Sequence, residues 1–93
     1  MVIDVVIQAL SAPFSITILY LLHKYGEMKL SELLANIGFS KYKSVRKTLI
    51  LLAKVGLVKI AVKHISPRVK AWKIKITDHG KKVIEGIIKS IGS

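Results

Sequence analysis

The sequence has no cysteine. That removes disulfide frameworks, thiolate metal sites and thiol nucleophiles together. Negative charge is scarce as well: five Asp or Glu stand against 16 Lys or Arg in 93 residues, a formal net charge of +11. The shortage is uneven. Residues 33–77 hold 11 basic side chains and no acidic one, whereas the other 48 residues carry five of each sign. His23, His64 and His79 lie far apart, and with so few carboxylates they form no metal-ligand spacing; each reads as a surface or packing histidine. There is no glycine-rich phosphate loop and no Ser/His/Asp set with a locating motif, so neither an enzyme nor a cofactor is expected. A long apolar run is also missing. Residues 2–22 come nearest, but Asp4, Gln8, Ser11, Ser15 and Thr17 interrupt them and Pro13 sits in the middle. A membrane span needs about 20 consecutive apolar residues. No basic leader precedes the stretch, so a signal peptide is not expected and the setting reads as cytoplasmic.

What is present is an apolar fraction of 52%, too high for a disordered basic tail. The length suits one domain over residues 1–93, since typical domains run to about 100–150 residues. Charge serving only solubility would be spread over the surface with both signs mixed. Concentrated in the middle of the chain, it predicts a surface built for a polyanion, either nucleic acid or an anionic membrane, between which composition does not choose. An ordinary solvated face is the alternative, because Lys-rich and Ile-rich sequences are common in heat-adapted proteins.

The pattern divides the chain into short elements. A helix is expected over 3–10, a break at Ser11, and a second helix with Pro13 near its first turn, running to Lys24 and stopped by Gly26. Ser31, Glu32, Leu33 and Leu34 open a short helix ending at Gly38. Ser40 is the expected cap of the next, in which Val45, Leu49 and Leu52 recur at helical spacing before Gly56 ends it. Residues 57–64 alternate, with Val58, Ile60 and Val62 on one side and Lys59, Ala61 and Lys63 on the other. Residues 65–70, containing Pro67 and Arg68, read as an exposed hairpin tip. Trp72, Ile74 and Ile76 then alternate with Lys73, Lys75 and Thr77 as a half-buried strand. Thr77 or Asp78 caps a last helix with Val83, Ile84, Ile87, Ile88 and Ile91 along one stripe. No internal repeat is apparent.

Four helices, a strand, a basic hairpin, a strand and a helix make a mainly α, α+β order in which a helix-turn-helix is followed by a small β-hairpin wing. Five segments sharpen this: residues 10–13 through 18–22; Met28-Lys29-Leu30-Ser31-Glu32-Leu33; Gly38-Phe39-Ser40; Leu52-Ala53-Lys54-Val55-Gly56-Leu57-Val58; and Ile76-Thr77-Asp78-His79-Gly80-Lys81. In this order they resemble winged-helix transcriptional regulators, of the multiple-antibiotic-resistance and arsenic-sensor repressor types, especially small archaeal members. The resemblance covers residues 10–82. It implies a double-stranded DNA partner, a homodimer and a recognition helix over the 40–54 stretch. The interval from Ser40 to Val45 is one residue longer than in many such regulators, which shifts the register of individual contacts. The arsenic-sensor cysteine motif is absent, so metal control does not carry over.

A recognition helix buries one face and offers the other to the major groove, about 12 Å wide. With Val45, Leu49 and Leu52 inward, Lys43, Lys47 and Lys54 lie opposite, flanked by Ser44 and Arg46. Base contacts usually come from the N-terminal part of such a helix. The expected DNA-binding set is therefore Lys43, Ser44, Arg46 and Lys47 in the groove, Lys41 and Tyr42 at its rim, and Lys63, Arg68 and Lys70 on the wing, where a cation suits a narrow minor groove or phosphates. Arg46 is the only Arg of the helix and the natural candidate for a base edge, against an equal reading as a phosphate or structural group. Lys73 and Lys75 either extend the phosphate track or, equally, act as edge lysines that discourage strand aggregation.

The aliphatic stripe of the last helix, with the apolar first helix, exceeds what a chain of this size covers by itself. The two helices, 3–10 and 78–91, are expected to form a two-fold homodimer, setting recognition helices about 34 Å apart on a pseudo-palindrome. No residue announces an effector pocket. The alternatives to a sequence-specific regulator are an architectural protein coating DNA with little preference and a winged-helix module that binds another protein.

Overall fold

The computed structural model of the chain describes residues 2–92, and the side chains of 7–68 and 70–91. The described residues form helices α1 (Val2–Ser11) and α2 (Ser15–Tyr25), strand β1 (Glu27–Lys29), helix α3 (Leu30–Ile37), a 3₁₀ turn (Phe39–Lys41), helix α4 (Tyr42–Lys54), strands β2 (Val58–Ser66) and β3 (Val69–Ile76), and helix α5 (Asp78–Gly92). This is the expected α+β winged helix-turn-helix, with α3 and α4 as the helix pair and β2–β3 as the wing.

The core includes Val45, Leu49, Leu52, Val58, Ile74, Ile76 and Ile84 of the positions the periodicity marked, whereas Val62, Ile88 and Ile91 are exposed. Ile18, Leu19 and Leu22 of α2, Leu33 of α3, Val45, Leu49 and Leu52 of α4, Leu57, Ile74 and Ile84 are all fully buried. Helix α2 sits at the centre, touching α1, α4, α5, β1 and β3. Two buried hydroxyls on this frame are satisfied, as burial requires. Ser15 Oγ donates to the Leu10 carbonyl, and Thr48 Oγ1 donates to the Pro13 carbonyl at 2.7 Å, which fastens α4 to the α1–α2 turn.

Boundaries differ from the sequence expectation in four places. Pro13 lies in the turn before α2 rather than in its first turn, because Phe14 adopts a left-handed conformation (φ 63°) and the helix starts at Ser15. Ser40 is not the cap of α4: the chain leaves Gly38 in a 3₁₀ turn closed by Lys41 N–H donating to the Gly38 carbonyl at 3.1 Å, and α4 begins at Tyr42 without a side-chain cap. The hairpin is longer than expected. Ser66 pairs with Val69 past a bulge between His64 and Ser66, leaving Pro67 and Arg68 alone at the tip. Strand β1 is new; it pairs Met28 with Ile74, so the sheet runs β1-β3-β2 with β3 in the middle.

The end of α4 and the start of α5 form one joint. Leu57 N–H donates to the Leu52 carbonyl (2.9 Å) and Gly56 N–H to that of Ala53 (3.1 Å). This helix-ending motif needs the left-handed φ of 79° that Gly56 supplies. Thr77 is the cap of α5, accepting from Gly80 N–H at 3.0 Å, while its hydroxyl donates to the Gly56 carbonyl at 2.6 Å. Replacing Thr77 by Ala removes both bonds and is expected to lower stability by about 1–2 kcal/mol. Urea unfolding measures it; an unchanged midpoint would mean that Thr77 caps nothing.

Candidate nucleic-acid interface

Helix α4 is amphipathic in the sense a groove-reading helix requires. Val45, Thr48, Leu49 and Leu52 are buried, and Lys43, Lys47, Ile50 and Lys54 are exposed on the opposite side. Lys43 and Lys47, one turn apart, are the outermost charges near its N-terminal end. Ser44 sits lower than expected. It is half-buried and, with Lys47, Thr48 and Leu51, walls a cleft of about 460 Å³ against Ile7, Gln8 and the 11–13 turn. Leu51, which also lines this cleft, is partly buried against the core, while Ile50 is exposed.

Arg46 leaves α4 on the wing side. Its guanidinium lies 4.9 Å from the centre of the Trp72 ring, and Nη1 donates to Tyr42 Oη at 3.3 Å. The one Arg of the helix is therefore stacked on Trp72 of the wing. A cation over an indole face contributes about 0.5–2 kcal/mol, depending on exposure.

Tyr42 of α4 and Lys63 and Lys70 of the wing come together. They line a groove of about 560 Å³ between the start of α4, the first turn of α3 and the open edge of β3. Lys41 is exposed on the 3₁₀ turn beside it, and Arg68 stands exposed at the wing tip, outside the groove. Sequence reasoning passed over three members of this groove: Lys29, Phe39 and Trp72. Phe39 is 65% exposed, an unusual position for a Phe side chain. Trp72 was legible only as one inward position of a strand, and Lys29 was hidden because β1 is too short to show alternation.

Acids are few. Among the described residues the ion pairs are Lys73–Glu27 (3.6 Å) and His23–Glu85 (3.3 Å). Glu32 accepts from the Lys29 backbone N–H at 3.0 Å. Neither α4 nor the wing contributes a carboxylate, so Lys43, Lys47, Lys63 and Lys70 present a field of one sign from the outer face of α4 to the groove beside the wing.

No described helix is long and apolar enough to cross a membrane. The sequence matches no protein-family model and no curated protein. In structure the chain is similar to a transcriptional regulator homologue protein from Pyrococcus horikoshii OT3, with a TM-score of 0.75 at 20% identity over 91% of this chain and 82% of that one. It is also similar to HlyU from Vibrio cholerae N16961, with a TM-score of 0.74 at 20% identity over 99% of this chain and 94% of that one. Likeness at this identity concerns the fold.

Proposed function

We propose that the chain binds double-stranded DNA as a homodimer and regulates transcription, most simply as a repressor that occupies an operator and blocks polymerase. The observation that carries the reading is the exposed Lys43–Lys47 face of α4 continuing into an acid-free basic wing. Helix α4 enters the major groove. Lys43 and Lys47 make its principal contacts, Ser44 and Arg46 flank them, and Lys41 and Tyr42 lie at the rim. Arg68 reaches the minor groove or its phosphates, and Lys63 and Lys70 hold the backbone in the groove beside the wing. The preponderance of Lys over Arg makes phosphates the main source of affinity. The resemblance to the multiple-antibiotic-resistance and arsenic-sensor types, and the structural likeness to the transcriptional regulator homologue from Pyrococcus horikoshii, support the regulatory role.

Selection of preferred sites from random duplexes tests it. A regulator prefers its site by about 10³-fold or more over random DNA, whereas an architectural protein shows no such ratio.

Exposed apolar side chains support dimerisation through the terminal helices. On α5, Ile84 is buried but Ile88 and Ile91 on the same stripe are exposed, Ile91 by 78%. Ile7 of α1 and Ile16 and Tyr20 of α2 are exposed too, and the His23–Glu85 contact brings α2 and α5 side by side. The side chains of 2–6, part of the expected dimer helix, lie outside the described residues. Sedimentation at micromolar concentration should give a dimer mass, and Ile88→Lys with Ile91→Lys a monomer that loses its preference for two-fold sites. A monomeric wild-type protein would end this part of the reading.

A further inference from the structure

The groove beside the wing has an aromatic lining that phosphate contact does not use. Its charge is of one sign: Lys29, Lys63 and Lys70 line it and take part in none of the ion pairs seen among the described residues, while Lys73 is paired with Glu27 at 3.6 Å. No described carboxylate lines it. Phe39, Tyr42 and Trp72 share the lining. Phe39 and Tyr42 are exposed, so the core does not account for either ring.

Local structure holds the rings in place. Tyr42 N–H donates to the Phe39 carbonyl at the end of the 3₁₀ turn, where side chains three residues apart eclipse and so stand on one side of the chain. Tyr42 Oη accepts from Arg46, whose guanidinium covers the Trp72 ring, and this couples the second ring to the third. A platform fixed before its ligand arrives loses less freedom on binding.

The face of an aromatic ring carries the negative part of its quadrupole, so a phosphate is a poor partner for it. A duplex keeps its bases in the stack and shows a protein only their edges and its backbone. It satisfies the lysines of the groove and leaves the rings without a partner. An unpaired strand supplies both, phosphates for the lysines and base faces for the rings, the combination on which sequence-tolerant single-strand binding rests. A second copy of this chain meeting the same groove would set lysine against lysine.

We propose that this groove holds an unpaired DNA strand, its bases stacked on Phe39 and Tyr42 and its phosphates on Lys29, Lys63 and Lys70. The inference goes beyond duplex binding but shares Lys63 and Lys70 with it, so that strand and duplex compete at the wing.

Binding of an oligothymidylate of about twelve nucleotides, compared with an abasic strand of equal length, tests it. The two carry the same phosphates and only the first carries bases. Wild type should bind the oligothymidylate at least about fivefold more tightly, since each base stacked on an aromatic side chain strengthens binding by about 5- to 150-fold. Emission from Trp72, the one Trp of the chain, should fall with the oligothymidylate and stay unchanged with the abasic strand. Phe39→Ala should remove most of the preference without altering the salt slope, because the counterions released are the same. Phe39→Trp should restore it, and the wild-type preference is read without any variant having to fold. Equal affinity for the two strands overturns the proposal, as does a preference that Phe39→Ala leaves intact. Binding to phosphatidylserine vesicles with neither strand held overturns it in favour of lipid. Wild type that binds a duplex and no single strand overturns it and leaves the duplex reading standing. Wild type that shows the preference and binds no duplex upholds it and removes the duplex reading.

Discussion

Raising salt from about 50 to about 200 mM will weaken duplex binding by at least about 10³-fold, because a protein neutralising six to ten phosphates releases that many counterions. The six cationic side chains Lys41, Lys43, Lys47, Lys63, Arg68 and Lys70 are all exposed and take part in none of the ion pairs seen among the described residues. Each is therefore available to exchange a counterion for a phosphate. Lys43→Glu with Lys47→Glu should push binding out of the measurable range at the higher salt, since two attractions become repulsions at the centre of the contact. Fluorescence anisotropy on a labelled duplex across a salt series measures both. A shallow dependence would favour the protein-binding module instead, whose contacts would not be dominated by phosphate charge.

Gly80→Ala should destabilise the fold by about 3 kcal/mol or more, enough to unfold a marginal domain. A helical Gly changed to Ala usually gains stability, because Ala is the better helix former by about 1 kcal/mol. Position 80 reverses the sign. A Cβ there would lie 2.1 Å from the Leu57 carbonyl oxygen and 2.9 Å from Ile76 Cγ1, and the first of these is backbone that cannot rotate away. Gly86, on the same helix, meets nothing within 4 Å, so Gly86→Ala should stabilise by about 0.5–1 kcal/mol. Urea unfolding of the pair separates packing from propensity. Equal shifts of the same sign would mean that α5 does not pack on the Leu57 carbonyl.

This close approach gives physical content to two sequence fragments that are weak alone. Gly56-Leu57-Val58 and Thr77-Asp78-His79-Gly80 meet at one point: Gly56 turns the chain out of α4, Thr77 bonds its carbonyl, and Gly80 lets α5 touch the next one. Each fragment completes the other, a dependence that linear spacing states only as a coincidence of position.

Local rules reached furthest where one residue's neighbours are its own helix or strand. The inward set Val45, Leu49 and Leu52, the outward Lys43 and Lys47, and the alternation of Ile74 and Ile76 with Lys73 and Lys75 follow from periods of 3.6 and 2. The same rules failed at Ser40, whose capping chemistry lost to a 3₁₀ turn, and at β1, whose three residues become a strand only because β3 offers an edge.

Composition and periodicity by themselves determined that the chain builds a small helical core with a β ribbon, and that its positive charge falls on one helix and that ribbon. These are averages over many residues, and no single contact alters them. Only the tertiary structure decided what individual charges face. Packing the wing on α4 stacked Arg46 against Trp72, the sheet order put Lys73 and Lys75 on a central strand, and the pleat turned Lys59 away from the helix. Such placements depend on contacts between residues distant in sequence, which the spacing of amino acids along the chain does not encode.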